Sequence, residues 1–261
     1  KGMTKIDKKA LDIYVLIDVS KSMDVEDIKP SRLQRVKMDI GELIDSLKGD
    51  RIGFIPFSSD AYIQMPSTDD YDVAKMFLEA VGTDMIGGGG TSIEKGVYFA
   101  AGSFDKKSTG EKVIIVMSDG EEHDENMKLN VNNTNGAKIF TIGFGTAAGG
   151  LVPVTDDTGS KTGYKQDESG KFIVSKLNSS YLRNIASLTG GKYYDSTISG
   201  VEAKQIIKDM EMLRRNNVKS ENAKEYYHIY QILLGLGMIM FVIGYFFNNK
   251  KVNDISNITK N

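Results

Sequence analysis

Short apolar runs rich in β-branched and aromatic residues alternate along most of the chain with segments whose apolar positions recur every three or four residues. The first run, Leu11-Asp12-Ile13-Tyr14-Val15-Leu16-Ile17, reads as a buried strand. Arg51 to Phe57, Val113 to Gly120 and Lys138 to Phe144 read the same way, with Tyr62 to Met65 as a hairpin partner of the second run and Lys192-Tyr193-Tyr194 as a final strand. Between them the period becomes helical. One helix begins at Pro30-Ser31, where Ser31 and Gln34 fit a capping box, and carries Leu33, Val36, Ile40, Leu43, Ile44 and Leu47. Others are predicted over Asp72 to Val81, with Val73, Met76, Phe77 and Ala80 on one side, over Ile93 to Phe104, over Leu177 to Thr189, and over Val201 to Leu213. Strands alternating with helices imply right-handed crossovers, hence an α/β fold: a doubly wound, mostly parallel, Rossmann-like sheet flanked by helices over residues 11–213.

Residues 146–176 break that rhythm. Val152-Pro153-Val154 and Lys171-Phe172-Ile173-Val174 surround the turn-rich Asp156-Asp157-Thr158-Gly159 and Asp167-Glu168-Ser169-Gly170, which predicts a β-hairpin insertion at the surface without chemistry of its own. Gly143-x-Gly145-x-x-Ala148 matches a dinucleotide fingerprint in spacing, but Gly149-Gly150-Leu151-Val152-Pro153 cannot start the helix that the fingerprint requires, so the match is accidental.

From Ile229 to Phe247 there are 19 residues without a charge, about the length needed to cross a hydrocarbon core. Tyr226, Tyr227 and Tyr230 at one end and Tyr245 at the other have the placement of interfacial aromatic belts. The expected organisation is a lead-in over 1–10, the α/β domain over 11–213, a juxtamembrane segment over 214–228, a C-terminal transmembrane helix over 229–247 and a polar tail over 248–261. Lys1 in place of methionine is expected of a piece of a longer chain.

Lys and Arg number 33 against 35 Asp and Glu, which gives no electrostatic reason to expect nucleic acid. Cysteine is absent, which excludes disulfides, thiol catalysis and zinc-thiolate sites. There is no Gly-x-Ser-x-Gly elbow and no phosphate loop. Of the two histidines, His123 and His228, the first sits in the charged run Glu121-Glu122-His123-Asp124 and is read as solvated.

Candidate chemistry gathers where strands end. Asp18, Ser20 and Ser22 follow the first strand, the usual place for a ligand site in an open α/β sheet. Gly87-Gly88-Gly89-Gly90-Thr91-Ser92 lets the backbone and Thr91 approach a buried point, and Asp119 ends the Val113 strand as Asp18 ends the first. Side-chain oxygens at alternate positions can converge on a hard cation such as Mg²⁺. Two serines and one aspartate would hold it poorly, so another loop must add an acceptor.

The pattern Asp-x-Ser-x-Ser, a later Thr and a later Asp, here Asp18, Ser20, Ser22, Thr91 and Asp119, resembles the metal-ion-dependent adhesion site of von Willebrand factor A domains. The resemblance implies that Ser20, Ser22 and Thr91 contact Mg²⁺ or Mn²⁺, that Asp18 and Asp119 bind it or orient its waters, and that one position stays open for an Asp or Glu of a partner protein. Ser31-Arg32-Leu33, Lys48-Gly49-Asp50-Arg51-Ile52-Gly53, Ser187-Leu188-Thr189-Gly190-Gly191-Lys192-Tyr193-Tyr194 and the terminal apolar run are similar to the bacterial Bat aerotolerance proteins of the BatA and BatB type. That likeness implies a bacterial inner-membrane protein with an extracytoplasmic, periplasmic A domain, working beside other Bat-type proteins and a MoxR-type AAA+ ATPase. The expected function is a membrane-anchored, metal-dependent protein-binding module and not an enzyme. The alternatives are a Mg²⁺-dependent hydrolase on a similar sheet and a scaffold whose metal only stabilises loops.

Overall fold

The structure is a computed structural model and describes residues 10–87, 90–122, 129–156, 160–196, 204–213 and 234–241. The chain divides into two units, residues 1–218 and 219–261.

The first unit is built on strands β1 (Leu11–Asp18), β2 (Arg51–Phe57), β3 (Met65–Thr68), β4 (Glu111–Ser118) and β5 (Lys138–Gly143), completed by β10 (Tyr193–Asp195). Its six-stranded sheet runs β10-β5-β4-β1-β2-β3, parallel except for β3 against β2. Helices α1 (Arg32–Ser46), α2 (Tyr71–Glu79), α3 (Ile93–Ser103) and α4 (Ser179–Leu188) connect the strands. Every residue of β1 is buried, as expected of a central parallel strand covered on both faces. Ile13, Val15 and Ile17 pack with Val36, Ile40 and Leu43 of α1, Ala74 and Leu78 of α2, and Ile206 and Met210 of the helical residues 204–213. Tyr14 and Leu16 face the other way, toward Val97 and Ala100 of α3 and Leu182 and Ile185 of α4. The period of two along one strand thus supplies both cores.

Local signals set the helix starts. Ser31 accepts from the Gln34 amide at 3.3 Å and Asp70 from the Val73 amide at 3.1 Å, each satisfying an amide left free at a helix start. Gly96 brings α3 against the sheet, since a Cβ there would lie 2.6 Å from Leu16 Cδ2 and 3.3 Å from the Phe57 ring.

Three sequence expectations need correction. The hairpin partner of β2 is Met65–Thr68, pairing Phe54 with Met65 and Ile52 with Thr68, because Tyr62 and Gln64 are held by backbone bonds to Pro56 and Phe54 before the strand begins. In α2 the buried positions are Ala74 and Leu78, whereas Met76 is 63% exposed, so the helix is rotated relative to the expected face. The insertion is two nested pairings rather than one hairpin: β6 (Gly150–Leu151) with β9 (Val174–Ser175), and β7 (Pro153–Thr155) with β8 (Lys161–Tyr164).

In the second unit, residues 234–241 form a helix. The remainder of the expected 229–247 span lies outside the described residues, and among the described residues no helix is long and apolar enough to cross a membrane. Residues 1–9 of the lead-in over 1–10, the juxtamembrane segment over 214–228, His123, His228 and the polar tail likewise lie outside them.

Candidate metal centre

The chain runs from β1 to β2 on one side and later returns to place β4 on the other, so the strand order reverses between β1 and β4. Such a switch point opens a crevice beyond the carboxyl ends of the strands. Asp18 ends β1, and Asp119 follows the last residue of β4. Ile17 pairs with Met117, which sets the two aspartates at one edge of adjacent strands.

Asp18 is fully buried and tied on both oxygens, Oδ1 by the Ser20 amide at 2.9 Å and Oδ2 by the Ser118 hydroxyl at 2.6 Å. Ser118 Oγ in turn accepts from the Gly120 amide at 2.9 Å. After β1 the backbone forms a single 3-10 turn, Lys21–Asp24, with Met23 buried beneath it. That turn brings Ser20 Oγ and Ser22 Oγ to 2.9 Å of each other, both partly open to solvent. The curl that alternate spacing invited is therefore present.

Thr91 reaches the same edge through β2. The Val19 amide donates to the Phe57 carbonyl, the next residue, Ser58, accepts from the Ser92 amide at 2.9 Å, and the Ser58 hydroxyl donates to the Gly90 carbonyl at 2.8 Å. Thr91 is buried at the head of α3. Gly88 and Gly89 lie outside the described residues.

Asp119, also fully buried, accepts on Oδ1 from the Glu121 amide at 3.0 Å and on Oδ2 from Arg32 Nη1 at 2.8 Å and Ser175 Oγ at 3.2 Å. Burial, together with the charge of Asp119, pushes the Asp18 carboxyl up to about 7. Burial and the same charge raise Glu121. Carboxylates crowded into a dry edge in this way favour a cation that shares their charge. Asp18 retains one acceptor position on each oxygen, Asp119 one on Oδ1, and the facing serine hydroxyls offer neutral lone pairs. This donor set, all oxygen, fits a hard divalent ion.

Sequence reasoning missed three participants. Arg32 stood in a family-like pattern without a role, yet its guanidinium joins Asp119 to Asp27, at 2.9 and 2.8 Å, while burial works against its charge and Asp27 and Asp119 hold its affinity for the proton above the usual. Ser118 had no signal beyond its place before Asp119. Ser175 belongs to the insertion expected to be inert, whose ends are fastened here: Thr146 donates to Asp27 from its amide at 2.8 Å, and the Lys176 amide donates to Glu121 at 3.0 Å. Beside the site, Tyr181 donates to Glu94 and, at 3.3 Å, to Glu122, which caps the Ile93 amide at 2.9 Å. Burial, then the nearby Glu122, raises Glu94 to about 7.

The fold is that of a von Willebrand factor A domain. The sequence model of the von Willebrand factor type A domain matches residues 12–197, and the chain belongs to that family. It is similar to BatB, a conserved hypothetical protein from Bacteroides thetaiotaomicron, at 32% identity and a TM-score of 0.71, covering 79% of this chain and 100% of that one. An aerotolerance-related membrane protein from Bacteroides fragilis gives 31% identity and a TM-score of 0.71, covering 78% and 100%. A UPF0353 protein of Nocardia farcinica is 27% identical over 217 residues, which are 75% of this chain and 61% of that relative.

Proposed function

We propose that this protein is a membrane-anchored, metal-dependent protein-binding module. Ser20, Ser22 and Thr91 would hold Mg²⁺ or Mn²⁺, with Asp18 and Asp119 binding it or orienting its waters. When bound, the ion supplies an electrophilic point for a carboxylate. The observation that carries this reading is the meeting of Asp18, Ser20, Ser22 and Asp119 at one switch point, where the two aspartates are fully buried and the two serines remain partly open to solvent. Neutral hydroxyls offset none of the ion's charge, so two carboxylates at most balance it and an acidic side chain of a partner is favoured as the next ligand.

The likeness to BatB and to an aerotolerance-related membrane protein supports a place among Bat-type membrane proteins. A MoxR-type ATPase as partner and an A domain outside the cytoplasm of a bacterial cell are further parts of the proposal. Anchoring would come from residues 229–247. Within them the helical residues 234–241 expose Leu234, Leu236, Met238, Ile239, Met240 and Phe241, the last two at 75% and 76%, an apolar surface suited to lipid.

Affinity capture from solubilised membranes of the source cell tests the reading. A membrane protein retained with Mg²⁺, released by chelator and lost with Asp18→Ala is expected. The same protein retained equally under all three conditions contradicts it.

A further inference from the structure

Arg32 opens α1, and its guanidinium has no exposure to solvent. A charge so enclosed is costly unless its donors are matched. Nε and Nη2 fork onto Asp27 at 2.9 and 2.8 Å, Nη1 meets Asp119 Oδ2 at 2.8 Å, and Nη2 also reaches the Ser175 carbonyl at 3.1 Å. Gly145 lies against the group: a Cβ there would stand 3.0 Å from Cζ, Nε and Nη2, on a backbone with φ of +133°. Both the space and the conformation call for glycine at that point.

The consequence falls on Asp119. A carboxylate oxygen accepts about two hydrogen bonds. Oδ2 has both, from Arg32 and Ser175, whereas Oδ1 has one, from Glu121. Asp119 can therefore meet a cation, or a water upon it, through Oδ1 alone. The guanidinium and the Ser175 hydroxyl fix which way the carboxylate is turned when it does so.

We propose that Arg32 is a positioning residue of the metal site, with Ser175 of the insertion as its second support, so that Asp119 is held for single-oxygen contact. This rests on the metal-site reading given under Proposed function. Neither residue touches the ion in this account. The insertion is thereby part of the site's framework rather than an ornament on the surface.

The test is Mn²⁺ affinity of the full chain by titration calorimetry. Arg32→Lys keeps the charge but cannot serve Asp27 and Asp119 together, because one ammonium lacks the planar fork. Its Mn²⁺ affinity is expected to fall about 10- to 100-fold, the usual effect of removing support from a metal ligand. Ser175→Ala, which removes one hydrogen bond and leaves Arg32, is expected to cost about twofold to tenfold. Arg51→Lys disturbs the pair with Asp12 at the far end of β1, 2.7 Å long, and is expected to leave the affinity unchanged. Wild-type affinity in a folded Arg32→Lys protein overturns the proposal, as does an equal fall in Arg51→Lys. If Arg32→Lys does not fold, Ser175→Ala decides, and wild-type affinity there overturns it. A wild-type chain that binds no Mn²⁺ removes the metal-site reading and this role with it. Wild-type binding with unaltered Arg32→Lys and Ser175→Ala removes the role alone.

Discussion

Ser118 Oγ donates to Asp18 Oδ2 across 2.6 Å, joining the ends of β4 and β1 inside the buried edge of the sheet. The serine also accepts from Gly120, so one hydroxyl links the first aspartate to the loop that begins with the second. Ser118→Ala is expected to lower stability by about 1–3 kcal/mol, the cost of leaving a buried carboxylate oxygen short of a partner. Urea unfolding in chelator, where metal cannot mask the loss, measures it. An unchanged midpoint would show that water replaces the hydroxyl.

Gly96 sets how closely α3, and hence Thr91 just before it, approaches β1. Alanine improves helix propensity by about 1 kcal/mol. Its Cβ would nevertheless meet Leu16 at 2.6 Å, and overpacking costs about 1–3 kcal/mol. Gly96→Ala is therefore expected to be neutral to destabilising in thermal unfolding. A clear gain in stability would mean that the helix moves away freely.

Glu94 gives the fold a pH dependence with a definite sign. Burial, with Glu122 alongside, raises its carboxyl from 4.5 to about 7, while Tyr181 donates to it. A raised acid group binds its proton more tightly in the folded state, so its contribution is fully present below about 4.5 and is lost as pH rises through about 7. Asp18, raised as well, acts with the same sign. In chelator, unfolding midpoints should fall between about pH 5 and about pH 8, and fall less in Glu94→Gln. Equal slopes in the two proteins would contradict this.

The membrane proposal makes a separate demand. The full chain should partition into detergent, and a chain ending at Val218 should stay in the aqueous phase. Aggregation of the shorter chain would assign the apolar run to the core of the domain instead.

What the sequence revealed follows from the range of each physical signal. Strand β1 and helix α1 were legible because period and capping act within a few residues: Leu11 to Ile17 is an unbroken buried strand, and Ser31 caps Gln34 as the spacing predicts. Asp18, Ser20, Ser22 and Asp119 were legible where strands end, and Thr91 at the end of a glycine run before a helix; the structure brings the loops that carry them to one edge. Arg32 and Ser175 were not, since their contact spans 143 positions and nothing in the local pattern of either marks it. The face of α2 was misjudged because Val73 and Met76 are apolar yet exposed, while the smaller Ala74 lies inside. The nested pairings of the insertion depend on which short run meets which, a choice that turn residues alone do not make.

On this reading a cation is held by hydroxyls and aspartates with a position left for an outside carboxylate. Mn²⁺ titrated into the full chain, followed by the electron paramagnetic resonance of the free ion with and without acetate, tests it most directly. Saturable binding at one site is expected, strengthened by acetate and abolished in Asp18→Ala while the domain stays folded. Binding that is absent, or equal in wild type and Asp18→Ala, would contradict it.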